Sequence, residues 1–191
     1  MHVTIRAVRT LPSLRSEVAW TAARRALEKA REKAQMRAGA RFQVVHFSVQ
    51  KDHVHLIVEA VDKRALASGM AGLEVRIARA VNGRLGRRGR VWADRYHRHD
   101  LRSPREVRNA LRYVLSNVRK HTRVSGDAAF ADPWSSAATF DGWSERVERL
   151  VAPRGDTEPW EPVAPRTWLL GKGWRRHGLI SPRERPGPRA A

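Results

Sequence analysis

Val3, Ile5 and Ala7 alternate with His2, Thr4 and Arg6, so His2 to Val8 has the period of a strand with one buried face. From about Ser13 to Gln35, Trp20, Ala23, Leu27, Ala30 and Ala34 recur at helical spacing in an Ala/Arg/Glu-rich stretch, which predicts a first amphipathic helix. Alternation returns over Phe42 to Val49, with Val45, Phe47 and Val49 on one face and Val44, His46 and Ser48 on the other. His53 to Ala60 sets Val54, Leu56, Val58 and Ala60 against His53, His55, Ile57 and Glu59. A two-residue turn at Lys51-Asp52 would pair these strands with both apolar sets on one face. His46, Ser48, His53 and His55 would then share the opposite face.

Leu66, Met70, Leu73, Ile77, Val81 and Leu85 form a stripe at spacings of three and four, which predicts a second long helix over Lys63 to Leu85, ending at Gly86. The basic loop Gly86-Arg87-Arg88-Gly89-Arg90 leads into Val91 to Leu101, whose weak alternation and many charges suit an edge strand. Ser103-Pro104-Arg105-Glu106 combines an N-cap serine, a proline at the first helical position and a glutamate three after the cap, starting a third helix that runs to about His121. The order of elements predicts an α+β fold, a ferredoxin-like βαββαβ antiparallel sheet with helices on one face, the other face open, and one extra helix carrying Tyr113. Residues 1–125 form this domain, and 126–191 an irregular Trp/Pro-rich extension that wraps it, with Arg183 to Ala191 disordered.

Charge narrows the class. Across 191 residues, 38 Lys+Arg against 19 Asp+Glu leave a formal net charge of +19, which attracts polyanions, nucleic acid above all. The positive charges are mostly arginines spread over several segments, which argues against a membrane-surface helix, and no apolar run reaches the roughly 20 residues of a bilayer span. The first residues do not form a signal peptide, so a cytoplasmic protein is expected. With no cysteine, disulfides and thiolate metal sites are excluded, and any metal must use His, carboxylate or amide ligands.

His53 and His55 stand on one strand face about 7 Å apart by strand rise, close enough to share one cation. Two such histidines on a half-exposed strand are more often plain surface residues than ligands, and what favours a ligand role is their place on the open face of the sheet beside the Lys51-Asp52 turn. On the third helix Val107, Ala110, Leu111, Val114, Leu115 and Val118 form the stripe that must face the protein. Tyr113 and Asn117 lie off that stripe, four apart on one flank, with Glu106 and Lys120 nearby. Arg105, Arg108, Arg112 and Arg119 stand on the other flank, placed for phosphates, as are Lys120 and the loop arginines Arg87, Arg88 and Arg90. Tyr96, beside Trp92 and His97, suits packing or base stacking. Tyr113 is the better nucleophile candidate: a phenol attacks poorly at neutral pH, but a phosphodiester polarised by a dication is a better target. Two imidazoles and an amide oxygen would leave coordination positions for that phosphate. His46, His97, His99 and His121 are expected to be satisfied or solvated imidazoles.

Residues 2 to 121 resemble the REP-associated tyrosine transposases and the small single-tyrosine transposases of bacterial insertion sequences, within the HUH endonuclease superfamily. The resemblance is carried by "VVHFSVQKDHVHLIVEA" and "RVWADRYHRHDLRSPREVRNALRYVLSNVRKH", while "PRTWLLGKGWRRHG" is similar to a tail of some members. It implies that His53 and His55 are the histidine-hydrophobic-histidine metal ligands and that Tyr113 forms a covalent 5′-phosphotyrosine, releasing a 3′-hydroxyl. It also maps the polar residue that completes the metal site onto Asn117. Mg²⁺ or Mn²⁺ is the implied cation, single-stranded DNA beside a hairpin the implied substrate, and a monomer or homodimer the implied state. The chain departs from the pattern in lacking a basic stretch before the first strand, which leaves the choice of DNA sequence less defined than the chemistry.

Two other readings fit a basic ferredoxin-like sheet. One is a non-catalytic nucleic-acid-binding module, although such modules display aromatic residues on the central strands where this chain has histidines. The other is a metal-independent ribonuclease using His53 or His55 as acid and base, with no need of Tyr113.

Overall fold

In the computed structural model, which describes residues 1–36, 39–117, 130–149 and 160–184, the alternating segments become β1 (His2–Arg6), β2 (Phe42–Val49) and β3 (His53–Ala60). Two long helices follow the expected stripes: α1 (Glu17–Gln35), capped by the Ser16 side chain, and α2 (Lys63–Arg84), capped by Asp62. The chain is α+β. Its sheet runs in the order β2-β3-β1-β4, antiparallel throughout, the ferredoxin-like arrangement.

The hairpin closes as its turn length requires. Val49 pairs with Val54, and the Gln50 N–H donates to the His53 carbonyl at 2.8 Å across Lys51-Asp52. Further along, the alternation breaks at a β-bulge: Val44 pairs with Val58 but His46 with Ile57, leaving Val45 as the extra residue. Val44, Phe47 and Val49 consequently join β1, α1 and α2 in the main core, while Val45 turns to the opposite side. The expectation that Val45 shares a face with Phe47 is thereby corrected. At one point in the main core a helix backbone and a ring approach closely, since a Cβ on Gly69 would lie 2.2 Å from Phe42 Cγ.

The edge strand is shorter than the Val91 to Leu101 segment expected. β4 is His97–His99, and before it the chain is tied to the end of β1 by the Ala7–Trp92 bridge and neighbouring backbone bonds. Trp92 is buried, donating its indole N–H to the Glu74 carbonyl at 2.9 Å, so it anchors this stretch to α2. Between bridge and strand, Asp94 and Arg95 are exposed.

The second face of the sheet is not open. α3 (Pro104–Leu115), started by a complete Ser103/Glu106 capping box, lays Val107, Ala110, Leu111, Val114 and Leu115 against Val45 and Ile57. A helix with a concentrated apolar stripe must bury it, and this sheet face offers the matching apolar positions. Later segments complete this second core. α4 (Trp168–Gly171) and the 3-10 turn Gly173–His177 contribute Leu170 and Trp174, joined by Ala137, Phe140 and Ile180. A short parallel pair, β5 (Phe130–Ala131) with β6 (Glu148–Arg149), lies in the same part of the chain. The expectation of disorder from Arg183 fails at its start: Arg183 pairs with Glu145 and Glu184 with Arg108 and Arg112. Residues 185–191 lie outside the described residues.

Candidate active site

Odd-numbered positions of β3 face α3, which puts His53 and His55 between sheet and helix. Their Nε2 atoms lie 3.0 Å apart, with the rings nearly perpendicular at 78°. Asp52 Oδ1 is 2.7 Å from Nδ1 of His53, and this hydrogen bond holds the Asp52 carboxyl below the usual carboxylate range. His55 is only 3% exposed. Its Nδ1 is 3.1 Å from Thr4 Oγ1 and 3.3 Å from His2 Nε2, both on β1.

α3 delivers the tyrosine to this pair. The Tyr113 ring lies 5.1 Å from the His55 ring and 5.7 Å from that of His2. The helix stops at Leu115, capped at Ser116, so Asn117 stands one residue past the cap rather than four along a continuous helix flank. Serine and asparagine favour such ends because their side chains compete for backbone bonds. Val118 to His121 of the longer helix expected lie outside the described residues. Asn117 is 0% exposed, and neither its Oδ1 nor its Nδ2 has a hydrogen-bond partner among the described residues.

The residues fit a divalent cation on three counts. Asp52 can only accept, so His53 donates from Nδ1 and presents a lone pair at Nε2, the form a metal needs. Ligands on adjacent corners of an octahedron with bonds of about 2.1 Å stand about 3.0 Å apart, the separation of the two Nε2 atoms. An orphaned buried amide costs about 1–3 kcal/mol unless something engages it, and a neutral oxygen is a good ligand for a hard cation. Among the described residues no three His, Asp or Glu side chains converge as a ligand set, so a cation here would draw on both imidazoles and such an oxygen.

The expected phosphate contacts divide into three groups. Arg88, Arg90 and Arg105 are exposed, and Arg87, half-buried, donates to the Arg90 carbonyl at 3.2 Å. Arg108 and Arg112 are engaged by the C-terminal segment: Arg108 meets both Glu184 oxygens, at 2.8 and 3.1 Å, and the Gly178 and Leu179 carbonyls, while Arg112 reaches Glu184 at 3.3 Å. Arg119 and Lys120 lie outside the described residues. Of the lesser histidines, His97 and His99 are exposed on β4. His46 sits against Ser136 and Phe140, where burial pushes its imidazole down to about 4. His121 is outside the described residues.

His2 and Thr4 were missed from sequence alone. Their signal is the polar half of the first alternating strand, which points at the histidines only once β1 is known to pair with β3, Thr4 opposite His55.

A family model described as "Transposase IS200 like" matches residues 10–117, a stretch that begins after β1 and ends on Asn117. Among solved structures, the chain is similar to one titled "Structure of the REP associates tyrosine transposase bound to a REP hairpin", with a TM-score of 0.52 at 18% identity. That similarity covers 82% of this chain and 92% of the other, and at this identity it speaks to the fold. No protein in the curated set matches.

Proposed function

We propose, for a chain that belongs to the IS200-like transposase family, a metal-assisted single-strand endonuclease and strand transferase with Tyr113 as nucleophile and His53, His55 and Asn117 as the cation's ligands. The observation that carries this reading is the convergence of the two Nε2 atoms at 3.0 Å with the Tyr113 ring 5.1 Å from His55. A surface histidine pair would not be buried under a tyrosine-bearing helix. The solved relative's title names a REP hairpin as its bound DNA, and a single strand beside a hairpin is the substrate proposed here.

The chemistry asks little of the protein beyond placement. Tyr113 Oη attacks the phosphorus and loses its proton, the P–O3′ bond breaks, and the departing 3′-oxygen takes up a proton as a hydroxyl. The product is a 5′-phosphotyrosine, and attack by another 3′-hydroxyl reverses the step and joins strands. Mg²⁺ or Mn²⁺, when bound, supplies positive charge to the phosphate and to the leaving oxygen. His53 and His55 would hold that cation, and the exposed Arg88, Arg90 and Arg105 offer phosphate contacts. Tyr113 and His55 of one chain are already neighbours, which supports a site assembled within a monomer.

The deciding experiment is a denaturing gel with labelled single-stranded hairpin DNA and Mn²⁺ or Mg²⁺. Wild type is expected to cut and to remain attached to one product. Tyr113→Phe should lose the adduct while binding DNA within about twofold, because it removes only the hydroxyl. Cleavage by the Phe variant would remove Tyr113 from the role and favour histidine acid-base chemistry; binding without cleavage by wild type under either cation would favour a non-catalytic module.

A further inference from the structure

Three polar side chains surround the histidine pair without standing where a cation would sit. Thr4 and His2 lie on β1, ahead of the stretch matched by the family model, and Asp52 is in the hairpin turn. Each faces an Nδ1 atom: Asp52 that of His53 at 2.7 Å, Thr4 and His2 that of His55 at 3.1 and 3.3 Å. A neutral imidazole carries one N–H: the Asp52 carboxylate, which only accepts, keeps that of His53 at Nδ1, while the Thr4 hydroxyl can accept an N–H from Nδ1 of His55 or donate to its lone pair. With no cation, the 3.0 Å contact between the two Nε2 atoms is bridged by an N–H, which His55 supplies when the proton of His53 is at Nδ1. A cation there needs both lone pairs, so the His55 proton must then stand at Nδ1 with Thr4 accepting it.

We propose that Thr4 and Asp52 are the positioning residues of the metal site, Thr4 accepting the Nδ1 proton of His55 when a cation takes its Nε2 and Asp52 holding the tautomer and aim of His53, with His2 beside Thr4 as a second partner for His55. This rests on the metal-assisted reading above. The two do not carry equal weight. The Asp52 side chain is 63% exposed, so water competes for its bond, whereas His55 is 3% exposed, which leaves water little room to take the place of Thr4. Losing an outer partner of a metal-bound histidine lowers metal affinity by about 10–100-fold. The larger loss belongs to Thr4 and the smaller to Asp52.

The test uses the full chain and Mn²⁺ alone as probe. Mn²⁺ affinity is measured by calorimetric titration, and side-chain ¹⁵N spectra of the metal-free protein report which ring nitrogen carries the proton. In wild type His53 is expected to carry it at Nδ1 and His55 at Nε2, between the two rings. Thr4→Val keeps the shape and removes the hydroxyl; it should weaken Mn²⁺ binding by about 30-fold. Thr4→Ser should restore it to within about threefold, and Asp52→Leu should cost less than Thr4→Val while releasing the His53 proton from Nδ1. If Thr4→Val does not fold, Thr4→Ala carries the same comparison. Unchanged Mn²⁺ affinity in the Thr4 variant would overturn the proposal while leaving the metal-assisted reading intact. A wild type that binds no Mn²⁺ would instead bring down that reading, and this proposal with it.

Discussion

Asn117 is held in the interior with both ends of its amide unpaired among the described residues, a state that costs about 1–3 kcal/mol in a protein without a ligand. If the amide serves a cation, the cost is the other side of a function. Asn117→Leu should therefore raise the stability of the metal-free protein by about 1 kcal/mol in chemical denaturation and weaken Mn²⁺ binding by at least about tenfold. A variant that is more stable but binds Mn²⁺ as before would strike Asn117 from the ligand set. His46 has the opposite profile, half-buried and outside the chemistry. Its imidazole is pushed from 6.5 down to about 4 by burial, opposed by the charge of Asp141. Unfolded, it takes its proton near pH 6.5; folded, it does not until about pH 4, so between these values the unfolded state binds more protons. Stability from this group is complete above pH 6.5 and falls as pH drops toward 4, by up to about 3 kcal/mol. In His46→Gln, urea midpoints measured from pH 7 to 4 should lose that part of their slope.

At the level of elements, α3 serves both the core and the site. Its capping box and apolar stripe were legible as sequence, and the box and the stripe from Val107 to Leu115 appear where the spacing put them. Which sheet face it would cover was not legible, because an amphipathic stripe says that a helix must be buried but not against what. Similarly, the Lys51-Asp52 turn length set the hairpin register, whereas the bulge at Val45 left no mark on a strand whose residues are apolar on both sides of it. The arginines of α3 looked like a phosphate-binding flank, yet Arg108 and Arg112 share Glu184 from the C-terminal segment. Burial raises the Glu184 carboxyl, and the hydrogen bonds from Arg108, the Ser181 N–H and Arg112, with the charge of Arg108, together more than offset it, so it lies below its ordinary range. Glu184→Gln should lower stability by about 1 kcal/mol in thermal melts. If both arginines then reach DNA, the salt dependence of binding should steepen by about one to two ions; an unchanged slope would mark them as structural.

For the molecule as a whole, a net charge of +19 has to be accommodated before any DNA arrives. Part of the answer lies in tryptophans that sequence inspection treated only as punctuation. Trp160 packs against Phe47 with the guanidinium groups of Arg24 and Arg31 4.9 and 5.7 Å from its ring, and Trp134 lies under Arg15 at 4.9 Å. Arg15 also pairs with Asp132, whose carboxyl is raised by burial and drawn back by that same arginine. Many other arginines remain outward-facing. With roughly six phosphate contacts, the logarithm of affinity for single-stranded DNA should fall with the logarithm of salt at a slope of about −4. Fluorescence anisotropy from 50 to 300 mM salt checks this, and a slope near −1 would contradict a broad phosphate interface. Among the described residues no helix is long and apolar enough to cross a membrane.

What the sequence determined by itself was local or periodic. It set the strands and helices through their hydrophobic periods, the hairpin through its turn length, the third helix through its cap, and the candidacy of His53, His55 and Tyr113 through motif and order. Only the tertiary structure decided which residues meet. The pairing of β1 with β3 brought Thr4 and His2 to His55, α3 closed the sheet face over the histidines, and Glu184 took up two arginines from 72 or more positions away. These are contacts between distant segments, set by strand order and by which apolar surfaces fit together, and no local period encodes them.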